Sequence, residues 1–186
     1  MPILGHEPDL FPETLLEEGL PAVSDVSWYA MYTLSRREKD LMRRLKAQNI
    51  AYYGPMAPTR KRSPAGRVRV SYLPLFTGYV FVCGTPVDRY NAVATGCISK
   101  CLDVLDPDEL REDLKQIRLL IEKGGDVRPE PKPMVGRPAR VISGPMMGAE
   151  GTVSQVLSRH RLTVLVTFMQ QGASVTVDEA DLEFLD

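Results

Sequence analysis

Gly124-Gly125, followed by Pro129, Pro131, Pro133 and Pro138, divides this chain more sharply than any other feature. Paired glycines are conformationally loose, and prolines at alternate positions remove backbone donors. Neither a helix nor a central strand runs through such a stretch. On its N-terminal side, helical and strand patterns alternate; on its C-terminal side only short strand patterns occur. The predicted organisation is therefore a leader over 1–27, a first domain over 28–123, a linker over 124–135 and a small domain over 136–186. No apolar run approaches the roughly 20 residues that span a bilayer. The N-terminus lacks the basic and apolar regions of a secretory signal. Cys83, Cys97 and Cys101 are odd in number and form no C-x-x-C, which fits free thiols and a cytoplasmic location.

The formal net charge of −1 excludes an indiscriminate nucleic-acid coat. It conceals a strong segregation. Residues 1–27 carry Glu7, Asp9, Glu13, Glu17, Glu18 and Asp25 and no base. Residues 28–72 carry eleven Lys and Arg against only Glu38 and Asp40. The leader, interrupted by Pro2, Pro8, Pro12 and Pro21, has no sustained period and is expected to be disordered; the alternative is a short docking motif in Asp9–Leu16.

In the first domain, Trp28–Thr33 reads as a strand. Ser35 and Glu38 form a capping-box pattern that opens a helix. Leu41, Met42 and Leu45 lie on one arc of that helix, with Arg36, Arg37, Lys39, Arg43, Arg44 and Lys46 opposite. Ile50–Met56 is a second strand candidate, and Arg60–Arg67 reads as a basic hairpin tip turned by Pro64 and Gly66. Leu75–Val82 is the strongest strand pattern. Thr85-Pro86 starts a short helix that Gly96 stops. Lys100–Leu105 is a strand, and a helix follows Asp106, with Leu110, Leu114, Ile117 and Ile121 along one face. The order implies an α+β domain, an antiparallel sheet flanked by helices. The last 50 or so residues read as a small closed β-barrel.

No catalytic constellation stands out. Cys83 and Arg89 have the C-x5-R spacing of cysteine phosphatases, but Pro86 removes a phosphate-binding N–H, and a strand ending at a capped helix explains the same letters. Cys97 and Cys101 supply at most two of the four ligands of a structural zinc, since His6 and His160 lie in other segments. No metal, cofactor or enzyme activity is expected. Two binding features remain. The basic helix with Arg60, Lys61, Arg62, Arg67 and Arg69 can hold phosphates or a displaced nucleic-acid strand; a solvated face is the alternative. Tyr32, Tyr79 and Phe81 can line an open sheet face as a groove for a helical partner; core packing is the alternative.

Trp28-Tyr29-Ala30-Met31-Tyr32, the basic helix, and Leu75-Phe76-Thr77-Gly78-Tyr79-Val80-Phe81-Val82 together resemble the N-terminal domain of the NusG transcription factors. Val135-Gly136, Gly144-Pro145 and Gly151-Thr152-Val153 resemble the family's C-terminal KOW barrel. Tyr53–Pro58 resembles the specialised RfaH-like branch, and Thr77 stands where the family has Pro. The resemblance implies a monomeric elongation or antitermination factor that binds RNA polymerase across its main cleft. Tyr32, Phe76, Tyr79 and Phe81 match positions that bind the clamp helices of the largest subunit. Asp88, Arg89 and Tyr90 match the gate-loop side. Arg36, Arg37, Arg43 and Arg44 match positions that face the non-template DNA strand. Phe168 and Met169 match a barrel loop that meets a small-subunit ribosomal protein or the terminator Rho. A KOW-type ribosome- or RNA-binding module without polymerase binding is the alternative, and a Cys83/Arg89 phosphatase a remote one.

Overall fold

The computed structural model describes residues 6–21, 24–132 and 135–185. It divides into two compact units, 1–107 and 108–186. The first is built on five strands: β1 (Leu10–Phe11), β2 (Ser27–Thr33), β3 (Ala51–Tyr53), β6 (Tyr79–Gly84) and β7 (Ile98–Asp103). Their order is β1-β3-β6-β2-β7, and each recorded pairing is antiparallel. Helices α1 (Glu38–Ala47) and α2 (Pro86–Ala94) accompany this sheet. Strands β4 (Met56–Arg62) and β5 (Val68–Pro74) pair only with each other, as a separate two-stranded ribbon.

Side-chain alternation along a strand sorts the two faces of the sheet. Tyr29, Met31, Tyr52, Val80 and Val82 join Leu41, Met42 and Leu45 of α1 in the core. Trp28, Ala30 and Tyr32 stand opposite Cys83, Phe81 and Tyr79 on the other face.

Three local expectations change, each for a physical reason. Glu38 is not the acid of a capping box: Arg37 precedes the helix without a side-chain cap. The Glu38 carboxylate is buried and accepts a hydrogen bond from Gly78 N at 2.8 Å. A buried N–H needs an acceptor more than an exposed helix end needs a cap. The strand expected from Leu75 begins only at Tyr79, because Gly78 turns the chain at φ +85. Gly54-Pro55 splits the strand expected over Ile50–Met56 into the end of β3 and the start of β4.

The leader is ordered where it is described. Residues 10–11 add β1 to the edge of β3, Leu10 and Leu16 are buried, and Tyr52 Oη donates to Pro8 O at 3.0 Å. Gly54 N donates to Asp9 O at 2.8 Å. Burying each leucine is worth about 1.5–3 kcal/mol, which the average polarity of the segment obscured.

The second unit holds most of α3 (Pro107–Lys123) and a six-stranded antiparallel sheet. Its strands are β8 (Arg128–Glu130), β9 (Arg137–Val141), β10 (Glu150–Val156), β11 (Arg159–Val166), β12 (Gln171–Val177) and β13 (Leu182–Phe184). Their order is β13-β9-β10-β11-β12-β8. No pairing joins β13 to β8 among the described residues, so the expected closed barrel is not found. The expected linker is in part a strand. β8 pairs with β12, and buried Ser174 donates to Glu130 while receiving Arg161 Nη2, both at 2.5 Å. The division into units falls before α3, whereas the sequence placed the boundary after it. Thr167 N donates to Asp113 and Glu150 N to Gln116, which tie α3 to the sheet.

Glu38→Ala is expected to lower the unfolding free energy by about 1–3 kcal/mol, because it strands a buried N–H. Glu38→Gln, which keeps an acceptor oxygen, should lose less. Urea denaturation measures both; an Ala variant as stable as the parent would contradict the assignment.

Candidate functional site

The aromatic face begins with sheet register. Tyr32 of β2 lies directly opposite Tyr79 of β6. Their rings meet edge to face at 5.2 Å, and Tyr79 stacks at 6.4 Å from Phe81. Gly78 makes room for this arrangement, since a Cβ there would stand 2.9 Å from the Tyr32 ring. Of the four residues expected on this surface, Tyr32 is 42% exposed, Tyr79 is half-buried, and Phe76 and Phe81 are buried at 2% and 0%. Phe76 and Phe81 are thus core side chains here. The accessible part is the tyrosine pair, apolar in its rings and polar at its tips.

The Asp88-Arg89-Tyr90 segment separates into three roles. Asp88 closes a capping box: its carboxylate accepts from Thr85 N at 2.9 Å, and its own N–H donates to Thr85 Oγ1 at 3.2 Å. Arg89 Nε donates to Cys101 Sγ at 3.2 Å, and its guanidinium lies 5.5 Å from the centre of the Tyr29 ring. Tyr90 points outward at 73% exposure. Val87, three residues earlier on α2, is also exposed. The sequence reading overlooked Val87, although its spacing from Tyr90 puts both on one helical stripe.

The same geometry gives Cys83 and Arg89 different surroundings. Arg89 engages Cys101 and Asp103. Cys83 is buried, and burial, with nearby Asp88 adding to it, pushes its thiol up to about 11. A nucleophilic cysteine needs the opposite shift. Cys97 Sγ lies 3.5 Å from Asp40, while Cys101 faces Arg89, so the two thiols have separate surroundings. No group of three or more metal-ligating side chains forms among the described residues.

Three of the six bases around the first helix are paired within the chain. Asp40 takes hydrogen bonds from Arg37 Nη1 at 2.6 Å and Arg44 Nε at 3.1 Å, which hold its carboxyl below the usual value. Arg43 makes a two-pronged contact with Glu7 of the leader at 2.8 and 2.7 Å. Arg36 is exposed, with its backbone at φ +60. Glu7 was missed as a partner because the leader was read as disordered. The five bases of the ribbon, Arg60, Lys61, Arg62, Arg67 and Arg69, are all exposed, and none forms an ion pair among the described residues.

In the second unit, Phe168 and Met169 are half-buried in a short 3-10 turn, Thr167–Met169, between β11 and β12. Gln170 at φ +53 ends the turn.

Two measurements check this chemistry. Cys83 should resist alkylation at pH 8 in the folded protein and react once unfolded; fast labelling when folded would contradict its burial. The Arg43 hydrogen bond holds the Glu7 carboxyl below the usual glutamate range. A depressed carboxylate contributes stability that is full above its unfolded pKa and is lost as pH falls through its folded one. Exchange protection of the Gly54 N–H, bonded to Asp9 of the leader, should therefore weaken below about pH 4.5. Protection unchanged on acidification would show that the Glu7–Arg43 pair does not hold the leader.

No curated protein matches the chain. No helix among the described residues is long and apolar enough to cross a membrane. Residues 26–106 match the family model NusG, described as transcription termination factor nusG. That span runs from the start of β2 past the end of β7 and contains the tyrosine pair, α1, the ribbon and α2. Over this span, which is less than half of the chain, the protein is similar to the NusG family.

Proposed function

We propose that this protein is a transcription elongation or antitermination factor that binds RNA polymerase across its main cleft and suppresses pausing, with no catalysis of its own. The observation that carries the reading is the Tyr32–Tyr79 pair, with Tyr32 exposed, on the sheet of a NusG-like domain. Paired rigid aromatics offer large contact area at little entropic cost, as in the anchor residues of protein interfaces. Their partner in this reading is the clamp-helix pair of the polymerase's largest subunit. Phe81, behind them, fixes the orientation of Tyr79.

Tyr90 and Val87 extend the reading to the opposite jaw of the cleft, where they present an exposed apolar stripe. Asp88 and Arg89 position that stripe through the cap and the Cys101 contact. A factor bound to both jaws opposes clamp opening, and with it pausing. The non-template strand would run along α1, with Arg36 exposed for it. The second unit would recruit a further partner, a small-subunit ribosomal protein or Rho, through the Phe168–Met169 turn.

Recovery of RNA polymerase on the immobilised full chain tests the proposal. Tyr32→Ala and Tyr79→Ala should each weaken binding about 5- to 30-fold, the effect of losing an interface anchor. Phe81→Ala is unsuitable as a probe, because emptying a fully buried aromatic site costs about 3–5 kcal/mol of stability. Equal recovery by parent and tyrosine variants would overturn the reading. Recovery of ribosomal particles without polymerase would instead make the chain a KOW-type ribosome- or RNA-binding module.

A further inference from the structure

We infer that the β4–β5 ribbon is a binding site for double-stranded DNA, used independently of the polymerase. From Leu41 through Val87 the chain contains no Asp or Glu. In the middle of that run, the ribbon places five exposed bases on a two-stranded sheet that pairs with no other strand. Several arginines elsewhere in the chain face an acid: Arg37 and Arg44 share Asp40, Arg43 meets Glu7, Arg118 meets Glu122 and Arg140 meets Glu150. The ribbon has no such partners among the described residues. Its charge is left for something outside the chain.

The register sharpens the assignment. Lys61 lies directly opposite Arg69, and Thr59 opposite Ser71. Residues two apart share a face, so two cations and two hydroxyls cluster on one side. Like charges directly opposite destabilise a strand pair, so folding gives no reason to place them there. Protection of an open edge against strand pairing needs only one or two charges. Cations alternating with hydroxyl donors instead match phosphate oxygens, which take both salt-bridge and neutral hydrogen bonds.

The ribbon is also prepared for its ligand. Gly66 turns at φ +79, Ser63 N donates to Arg67 O at 2.9 Å, and Arg67 N donates to Ser63 Oγ at 3.2 Å. Pro64 stiffens the same tip. A two-stranded ribbon fits the major groove of B-form DNA, about 12 Å wide. The deep, narrow major groove of duplex RNA does not admit it. The contact is electrostatic and needs no particular base sequence.

The test uses the purified full chain without polymerase, so its failure would leave the clamp-binding proposal standing. Anisotropy of a labelled 20-base-pair DNA is followed from about 50 to about 200 mM salt. Neutralising four to five phosphates gives a log–log slope near −4. The double variant Lys61→Gln/Arg69→Gln should bind at least tenfold more weakly at the low-salt end, with a slope shallower by about two. Arg69→Lys, which keeps the charge, should retain most of the binding. Arg118→Gln, whose parent side chain is paired with Glu122, should change little. A matching urea midpoint confirms that the double variant is folded. Unchanged DNA binding by the folded double variant would overturn the inference. So would equal binding of duplex RNA, or retention on phosphatidylserine vesicles with no DNA binding.

Discussion

The hydrogen bond from the buried Gly78 N–H to the Glu38 carboxylate organises the first unit. It fastens the first residue of α1 to the turn that opens β6, a sequence separation of 40 residues. On the other side of the same residue, Gly78 O accepts from Thr33 N at 2.7 Å. The peptide at Gly78 thus locks β2, α1 and β6 together. Tyr32 and Tyr79 are immediate neighbours of this lock, and their opposition across the sheet follows from it. The absence of a side chain at Gly78 then lets the Tyr32 ring lie close beside the turn. One acceptor, unusual in being a buried carboxylate, supports the surface on which the proposed function rests.

Charge is distributed by a second logic. The near-zero sum conceals local pairings in some regions and unpaired bases in others. The leader brings Glu7 to Arg43, and Asp40 serves Arg37 and Arg44. The five bases of the ribbon remain open, as does Arg36. The proposed protein contact on the aromatic face and the proposed DNA contact on the ribbon draw on different side chains and different forces. The first depends on apolar area and the second on salt.

Features with local causes were legible in the sequence. The Thr85–Asp88 capping box, the Gly96 stop, the ribbon tip and β2 follow from residues within a few positions of each other. Features with distant causes were not. Nothing near Glu38 reveals that its partner is Gly78, so a capping box was the natural local reading. The leader looked disordered because two buried leucines and one ion pair weigh little in its average composition. β8 looked like a linker because its partner β12 lies about 40 residues on, and Ser174 joins the two. At the site, alternation placed Tyr32, Tyr79 and Phe81 on one face, as the structure does. It cannot tell which of them reaches solvent, and Phe76 and Phe81 are interior.

The central claim is that Tyr32 sits against the polymerase. It is tested most directly by placing a photoreactive phenylalanine derivative at position 32 of the full chain and irradiating the complex with transcribing RNA polymerase. The expected result is a crosslink to the coiled-coil clamp helices of the largest subunit. A crosslink to a ribosomal protein, or none to the polymerase while the protein stays bound, would contradict it.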